Sequence, residues 1–102
     1  MKEQIIRKIF NGFIYIHILY HGTKEEFYGS WMIEELMKHG YKISPGTLYP
    51  ILKIMVDENL LEKTERVVDG KVRKYYKTTK EGKILLNDLK KNLSEFMHEV
   101  DD

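Results

Sequence analysis

The chain contains no cysteine, which excludes both a disulfide frame and a thiolate metal site. A reducing interior is thereby permitted, and the cytoplasm is the default expectation. Long hydrophobic runs are missing too. The longest, Ile9 to Tyr20, is broken by Asn11, Gly12 and His17, is too short to span a bilayer, and lacks the basic start and cleavage site of an export signal. No membrane partner is expected. No low-complexity segment or internal repeat is present, nor any phosphate loop, paired-acid motif or Ser or Thr with a placed base. With 102 residues there is little room for a catalytic cleft, so the chain reads as one non-enzymatic domain without a cofactor. A monomer of this size buries only about two-thirds of its unfolded surface, and a partner subunit would help.

A net excess of either sign is nearly absent, the formal charge being +1, but the distribution is uneven. Residues 63 to 80 carry seven Lys or Arg against Glu65 and Asp69, whereas beyond Asn92 the charges are Glu95, Glu99, Asp101 and Asp102. A basic patch in mid-chain with an acidic tail points to one localised polyanion contact.

The most informative stretch runs from Tyr41 to Met55. Leu48, Ile51, Leu52 and Met55 fall at i, i+3, i+4 and i+7, one helical face, and leave Thr47, Tyr49, Pro50 and Lys53 facing outward. Ser44 followed by Pro45 has the form of an N-cap and first helical residue, but Pro50 would then lie past the first turn and delete a helical hydrogen bond. With Thr47 as N-cap, Pro50 sits where its missing N–H costs nothing, so the helix is expected from about Thr47 after a turn at Ser44 to Gly46. Either start leaves backbone N–H groups and two hydroxyls beside a positive helix end, a setting that suits phosphate.

Residues 4 to 20 read as a helix that is apolar on nearly every side, with Ile6, Ile9 and Phe13 among the residues expected at a subunit interface. A polar loop at Gly22 to Glu26 precedes a short helix from Ser30 to Lys38, ended by Gly40. The Leu48 helix stops near Asn59. From Leu60 the period becomes two, and Asp69-Gly70 marks a two-residue hairpin turn that pairs Val68 with Lys71, Arg66 with Arg73 and Thr64 with Tyr75. Opposed arginines make better sense beside phosphates than on an ordinary charged hairpin. Of the adjacent Tyr75 and Tyr76, one faces the core. Thr79 caps a last helix whose Leu86, Leu89, Leu93, Phe96 and Val100 step by three and four. At ~33 Å that helix is longer than a small domain can cover, and it reads as a dimerisation helix.

His17 and His21 stand four apart with Glu25 beyond, a spacing able to chelate zinc or nickel. No regular element places a third ligand, so the pair is read as a buried or interface pair and no metal site is assigned. Trp31 reads first as core, with stacking on an aromatic effector as the functional alternative.

The order helix, helix, turn, helix, hairpin, long helix is mainly α with a small β-hairpin: a winged helix-turn-helix with N-terminal and long C-terminal dimerisation helices. Residues 1–82 form the DNA-binding unit including the N-terminal helix, and 83–102 the C-terminal dimerisation helix, in one compact body. Tyr28-Gly29, Ile33-Glu-Glu-Leu36, Ser44-Pro-Gly-Thr-Leu-Tyr-Pro50, Glu58-Asn-Leu-Leu61, Lys74-Tyr-Tyr76 and Thr79-Lys-Glu-Gly82 resemble the PadR family of transcription regulators, over roughly residues 10 to 85. The short tail resembles the family's small subgroup. The resemblance implies a homodimer that binds double-stranded DNA at a palindromic operator, usually represses a nearby gene and releases on sensing a small molecule. It also implies that the reading helix begins at Ser44, that Gly46, Thr47, Tyr49 and Lys53 face DNA, and that Lys71, Arg73 and Lys74 form the wing; Arg66 joins them through its pairing with Arg73. Two departures stand out: the longer Gly22 to Phe27 loop, and Thr78 where an apolar residue is common. A winged helix that binds protein instead of DNA is the alternative, but such a module should lack the basic wing.

Overall fold

The computed structural model describes residues 1–101. Helix α1 spans Lys2–Lys24, α2 Gly29–Lys38, α3 Pro45–Asp57 and α4 Lys80–Val100, with strands β1 (Leu61–Val68) and β2 (Lys71–Thr78) between the last two helices. The chain is thus mainly helical with one antiparallel hairpin, the winged helix-turn-helix arrangement.

The apolar face of α3 is the centre of the core. Leu48 and Leu52 are wholly buried against Met32 and Leu36 of α2, Ile18 and Leu19 of α1, and Leu61 and Tyr76 of the hairpin. The hairpin has the register read from the sequence, Val68 opposite Lys71 and Arg66 opposite Arg73. Asp69 and Gly70 both take positive φ, 52° and 76°, as a turn that matches strand twist requires. Tyr76 is the buried member of the tyrosine pair, and Tyr75 is half-buried on the opposite face. Thr79 caps α4 by accepting a hydrogen bond from the Gly82 amide at 3.0 Å, while its hydroxyl donates to the Asn59 carbonyl at 2.6 Å.

Three details differ from the sequence reading, and a fourth accounts for a residue it singles out. Helix α1 continues to Lys24, so the loop expected from Gly22 is half helix. Helix α3 starts at Pro45 with Ser44 as N-cap, not at Thr47, and Pro50 lies inside it. Pro50 forfeits a bond to the Gly46 carbonyl, but Gly46 is exposed and water can satisfy that oxygen. Phe27 adds a single antiparallel bridge to Tyr76, with N–H···O bonds of 2.9 and 2.8 Å in each direction, which the sequence does not reveal. Thr78, the unusual residue before the cap, is buried and donates to the Leu19 carbonyl of α1 at 2.8 Å, so its hydroxyl is satisfied and ties the wing's end to α1.

The expected division at 82/83 falls just inside α4, whose Leu86 belongs to the common core; residue 102 lies outside the described residues. Beyond Leu89 the helix leaves the domain. The Cα radius of gyration, 15.0 Å, exceeds the ~13 Å of a compact chain this long, because α1 and α4 project from the head. Among the described residues no helix is long and apolar enough to cross a membrane.

Candidate nucleic-acid interface

Three elements converge on one face: the start of α2, the outward side of α3 and the hairpin. Gly29 at the first turn of α2 lies directly under Tyr49 of α3, and a Cβ at residue 29 would overlap the Tyr49 hydroxyl. Glycine at this position lets the two helices approach and lays the Tyr49 ring, 42% exposed, across the amino end of α2. Tyr28, Gly29, Ser30, Tyr49, Arg73 and Lys74 line a cleft of about 340 Å³ there. A helix amino end beside two cations is a setting for an anion.

The second cleft, about 440 Å³, lies between α3 and the wing and contains Tyr49, Pro50, Lys53, Lys63, Lys74 and Tyr76. Lys53 Nζ is 3.0 Å from Asp57, an exposed i,i+4 pair of the kind that contributes only ~0.3–0.5 kcal/mol and yields readily to a phosphate. Burial, then Tyr49 and Glu65, push the Tyr76 phenol above its ordinary pKa, so it stays neutral beneath this cleft. At the head of α3, Ser44, Gly46 and Thr47 are all exposed, and the Ser44 and Thr47 hydroxyls are 3.4 Å apart.

The wing cations divide between two faces. Lys63 and Lys74 share the side of Tyr76 and look toward α3, whereas Arg66, Lys71 and Arg73 share the side of Tyr75. Arg73 lies 4.6 Å over the Tyr28 ring; Arg66 lies 3.7 Å over the Tyr75 ring and is hydrogen-bonded to Glu26, whose carboxylate pushes the guanidinium pKa up. The opposed arginines therefore do not need phosphates to explain them: one carboxylate and two tyrosine faces already accommodate the charge. Lys63, Tyr28 and Ser30 join the face although the sequence reading does not select them. Their signal is present only as Tyr-Gly-Ser before a helix and as a cation on the Tyr76 side of the strand.

The remaining expected site residues lie elsewhere. Ile6, Ile9 and Phe13 on α1 and Leu93, Phe96 and Val100 on α4 are exposed, while Leu86 is buried and Leu89 half-buried in the domain's own core. Trp31 is half-buried, packed on the core beside Phe27 and His21. His17 and His21 do have a third neighbour, contrary to the sequence reading: His39, at the C-cap of α2, joins them, with Glu35 and not Glu25 as the nearby carboxylate.

Residues 18–88 match the family described as transcriptional regulator PadR-like. The chain is 39% identical over 95 residues to transcriptional regulator Rv3488 of Mycobacterium tuberculosis, spanning 93% of this chain and 89% of that protein. Its fold is similar to a PadR-like transcription factor of Bacteroides fragilis, with TM-score 0.85, 28% identity and 96% of each chain covered. A PadR-like regulator of Bacillus cereus is 33% identical with TM-score 0.81, over 92% of this chain and 93% of the other.

Proposed function

This chain belongs to the PadR-like family of transcriptional regulators, and from that premise we propose that it is a repressor that binds an inverted-repeat operator as a homodimer. The observation that carries the reading is the cleft where Lys53, Lys63 and Lys74 converge beside the exposed Tyr49. Helix α3 is the major-groove element. Its Thr47, Tyr49 and Lys53 read base edges, Lys as a donor to guanine and the Thr methyl against thymine. Ser44 and Gly46 meet phosphate at its amino end, as Ser30 does at the start of α2.

In the wing, Lys74, Lys63, Lys71 and Arg73 grip the backbone. Arg66 acts through Glu26 and Tyr75, fixing the wing to the α1–α2 loop. The dimer forms through Ile6, Ile9 and Phe13 of α1 and Leu93, Phe96 and Val100 of α4, continuous with Leu86 and Leu89 in the core. Residues 1–82 form the DNA-binding unit and 83–102 the dimerisation arm, folding as one body. Release by a small aromatic molecule belongs to the same reading, and Trp31, on a cleft of about 280 Å³ with Phe27, Tyr28 and Tyr75, is the side chain on which it would stack. A protein-binding role fits less well, because three lysines, Lys53, Lys63 and Lys74, converge on the cleft beside its apolar walls.

Two symmetric reading helices should meet half-sites ~34 Å apart. Tyr49→Ala and Lys53→Ala should each weaken operator binding by ~1–3 kcal/mol and affect random DNA less. The measurement is a paired titration of operator and scrambled duplex at one salt concentration. Equal losses on both would sink the assignment of specificity to α3.

A further inference from the structure

Helix α1 places His17 and His21 one turn apart on the side that meets α2, with their rings nearly parallel at 14° and centroids 5.9 Å apart. The C-cap of α2 brings His39 against them, 4.7 Å from the His17 ring, and its backbone is held by the His39 N–H donating to the Leu36 carbonyl at 3.0 Å. One ring nitrogen from each histidine lies within 4.8 Å of the other two. Glu35, one turn before His39, completes the group: its Oε2 is 3.4 Å from His39 Nε2 and 4.0 Å from His21 Nε2.

We propose that His17, His21, His39 and Glu35 form a binding site for a divalent transition-metal ion of the zinc class, which pins α1 to the C-terminal end of α2. The spacing fits. Four ligand atoms about 2.0–2.1 Å from one tetrahedral ion are about 3.4 Å from each other, the separation that Glu35 and His39 already have. The three histidine nitrogens, within 4.8 Å of one another, need to draw together, and the Glu35 carboxylate, already near His39 and His21, has to swing toward His17, movements that side-chain rotation supplies.

The chemistry fits as well. Among the described residues His21 Nε2 is the one buried side-chain nitrogen or oxygen without a hydrogen-bond partner, an orphan that a metal would satisfy. Burial, together with the neighbouring His39, pushes both His17 and His21 below the ordinary imidazole pKa, leaving the neutral lone pairs that ligation needs. Three imidazoles and one carboxylate suit zinc or cobalt better than calcium or magnesium, which prefer all-oxygen shells. Without the ion, the same carboxylate lies beside His39 and Lys38, whose Nζ is 3.6 Å away, and leaves His21 Nε2 unbonded.

The site does not depend on the DNA reading, and its test uses the free protein. Cobalt(II), titrated into the metal-stripped full chain, should bind at about one equivalent per chain and give the intense visible absorption of tetrahedral cobalt, which zinc should then bleach. His39→Ala, at a largely exposed cap, should weaken cobalt and zinc binding by at least about 10-fold, as should Glu35→Gln, with the far-ultraviolet dichroism of the fold retained. His98→Ala, on α4 and outside the cluster, should change nothing. Octahedral cobalt spectra, or binding equal in wild type and His39→Ala, would overturn the proposal. So would a loss of binding in His98→Ala as great as in His39→Ala.

Discussion

In the reading head Leu36, Leu48, Leu52 and Met32 are wholly buried, whereas Ile5, Ile9 and Phe10 of α1 and Phe96 and Val100 of α4 are each more than half exposed. The two regions differ in what surrounds their apolar side chains. The head has helices on two sides and a hairpin on a third, so its side chains find partners within the chain. The last turns of α4 run past the end of that packing, and the first turns of α1 meet it only at its edge, where the Phe10 ring lies edge-on to Tyr41 at 5.9 Å. Isolated exposed apolar residues are ordinary, but a run of them along two helices is the surface that the second copy in the proposed dimer would cover. The head is therefore complete in one chain, while the terminal helices look incomplete without a second.

The largest test of that contrast is to charge the terminal stripe. Leu93→Lys with Phe96→Lys should convert the proposed dimer to monomer at low micromolar concentration, because two ammonium groups would have to enter an apolar interface. Operator binding should fall by at least about 100-fold, since one head cannot span two half-sites. Sedimentation at a series of concentrations checks it; a variant that still sediments as a dimer would refute the role given to α4.

The converse substitution strikes the head. Leu52→Ala removes a wholly buried side chain from the centre of the core and should cost about 2–5 kcal/mol of stability. Thermal denaturation should show a fall of about ten degrees or more. Leu93→Ala, at a residue 37% exposed, should affect stability mainly through dimerisation, so its effect should be small in dilute solution and grow to a plateau as protein concentration rises. Equal, concentration-independent losses in the two variants would erase the distinction between the regions.

What can be read from the sequence follows the range of the forces involved. The apolar face of α3, the hairpin register and the Thr79 cap depend on residues within a turn or across a tight loop, and periodicity shows them directly. The start of α3 is misplaced by sequence reasoning because the cost of Pro50 looks decisive, yet an exposed Gly46 carbonyl makes that cost small. Long-range pairings are not legible. The Arg66 and Glu26 pair spans 40 residues, the Phe27 to Tyr76 bridge joins a loop to a strand, and His39 meets His17 only because α1 and α2 pack as they do. The candidate DNA face is thus visible as a set of cations, but not its division into two sides of the wing.

That division supplies the smallest and most discriminating test, on a surface that belongs neither to the core nor to the terminal stripe. Arg73→Ala with Lys74→Ala should leave the melting temperature and the dimer nearly unchanged, since both side chains are exposed. The double variant should weaken all DNA sequences about equally and reduce the slope of log affinity against log salt by about one for each phosphate that is no longer neutralised. Arg66→Ala should act differently. Its guanidinium is occupied by Glu26 and the Tyr75 ring, so removing it should change the salt slope little while loosening the wing relative to the α1–α2 loop. Hydrogen exchange at the amides of the Phe27 to Tyr76 bridge would report that loosening. If Arg66→Ala instead flattened the salt slope as much as the double variant, with bridge protection intact, Arg66 would be a phosphate contact and the two-sided description of the wing would fail.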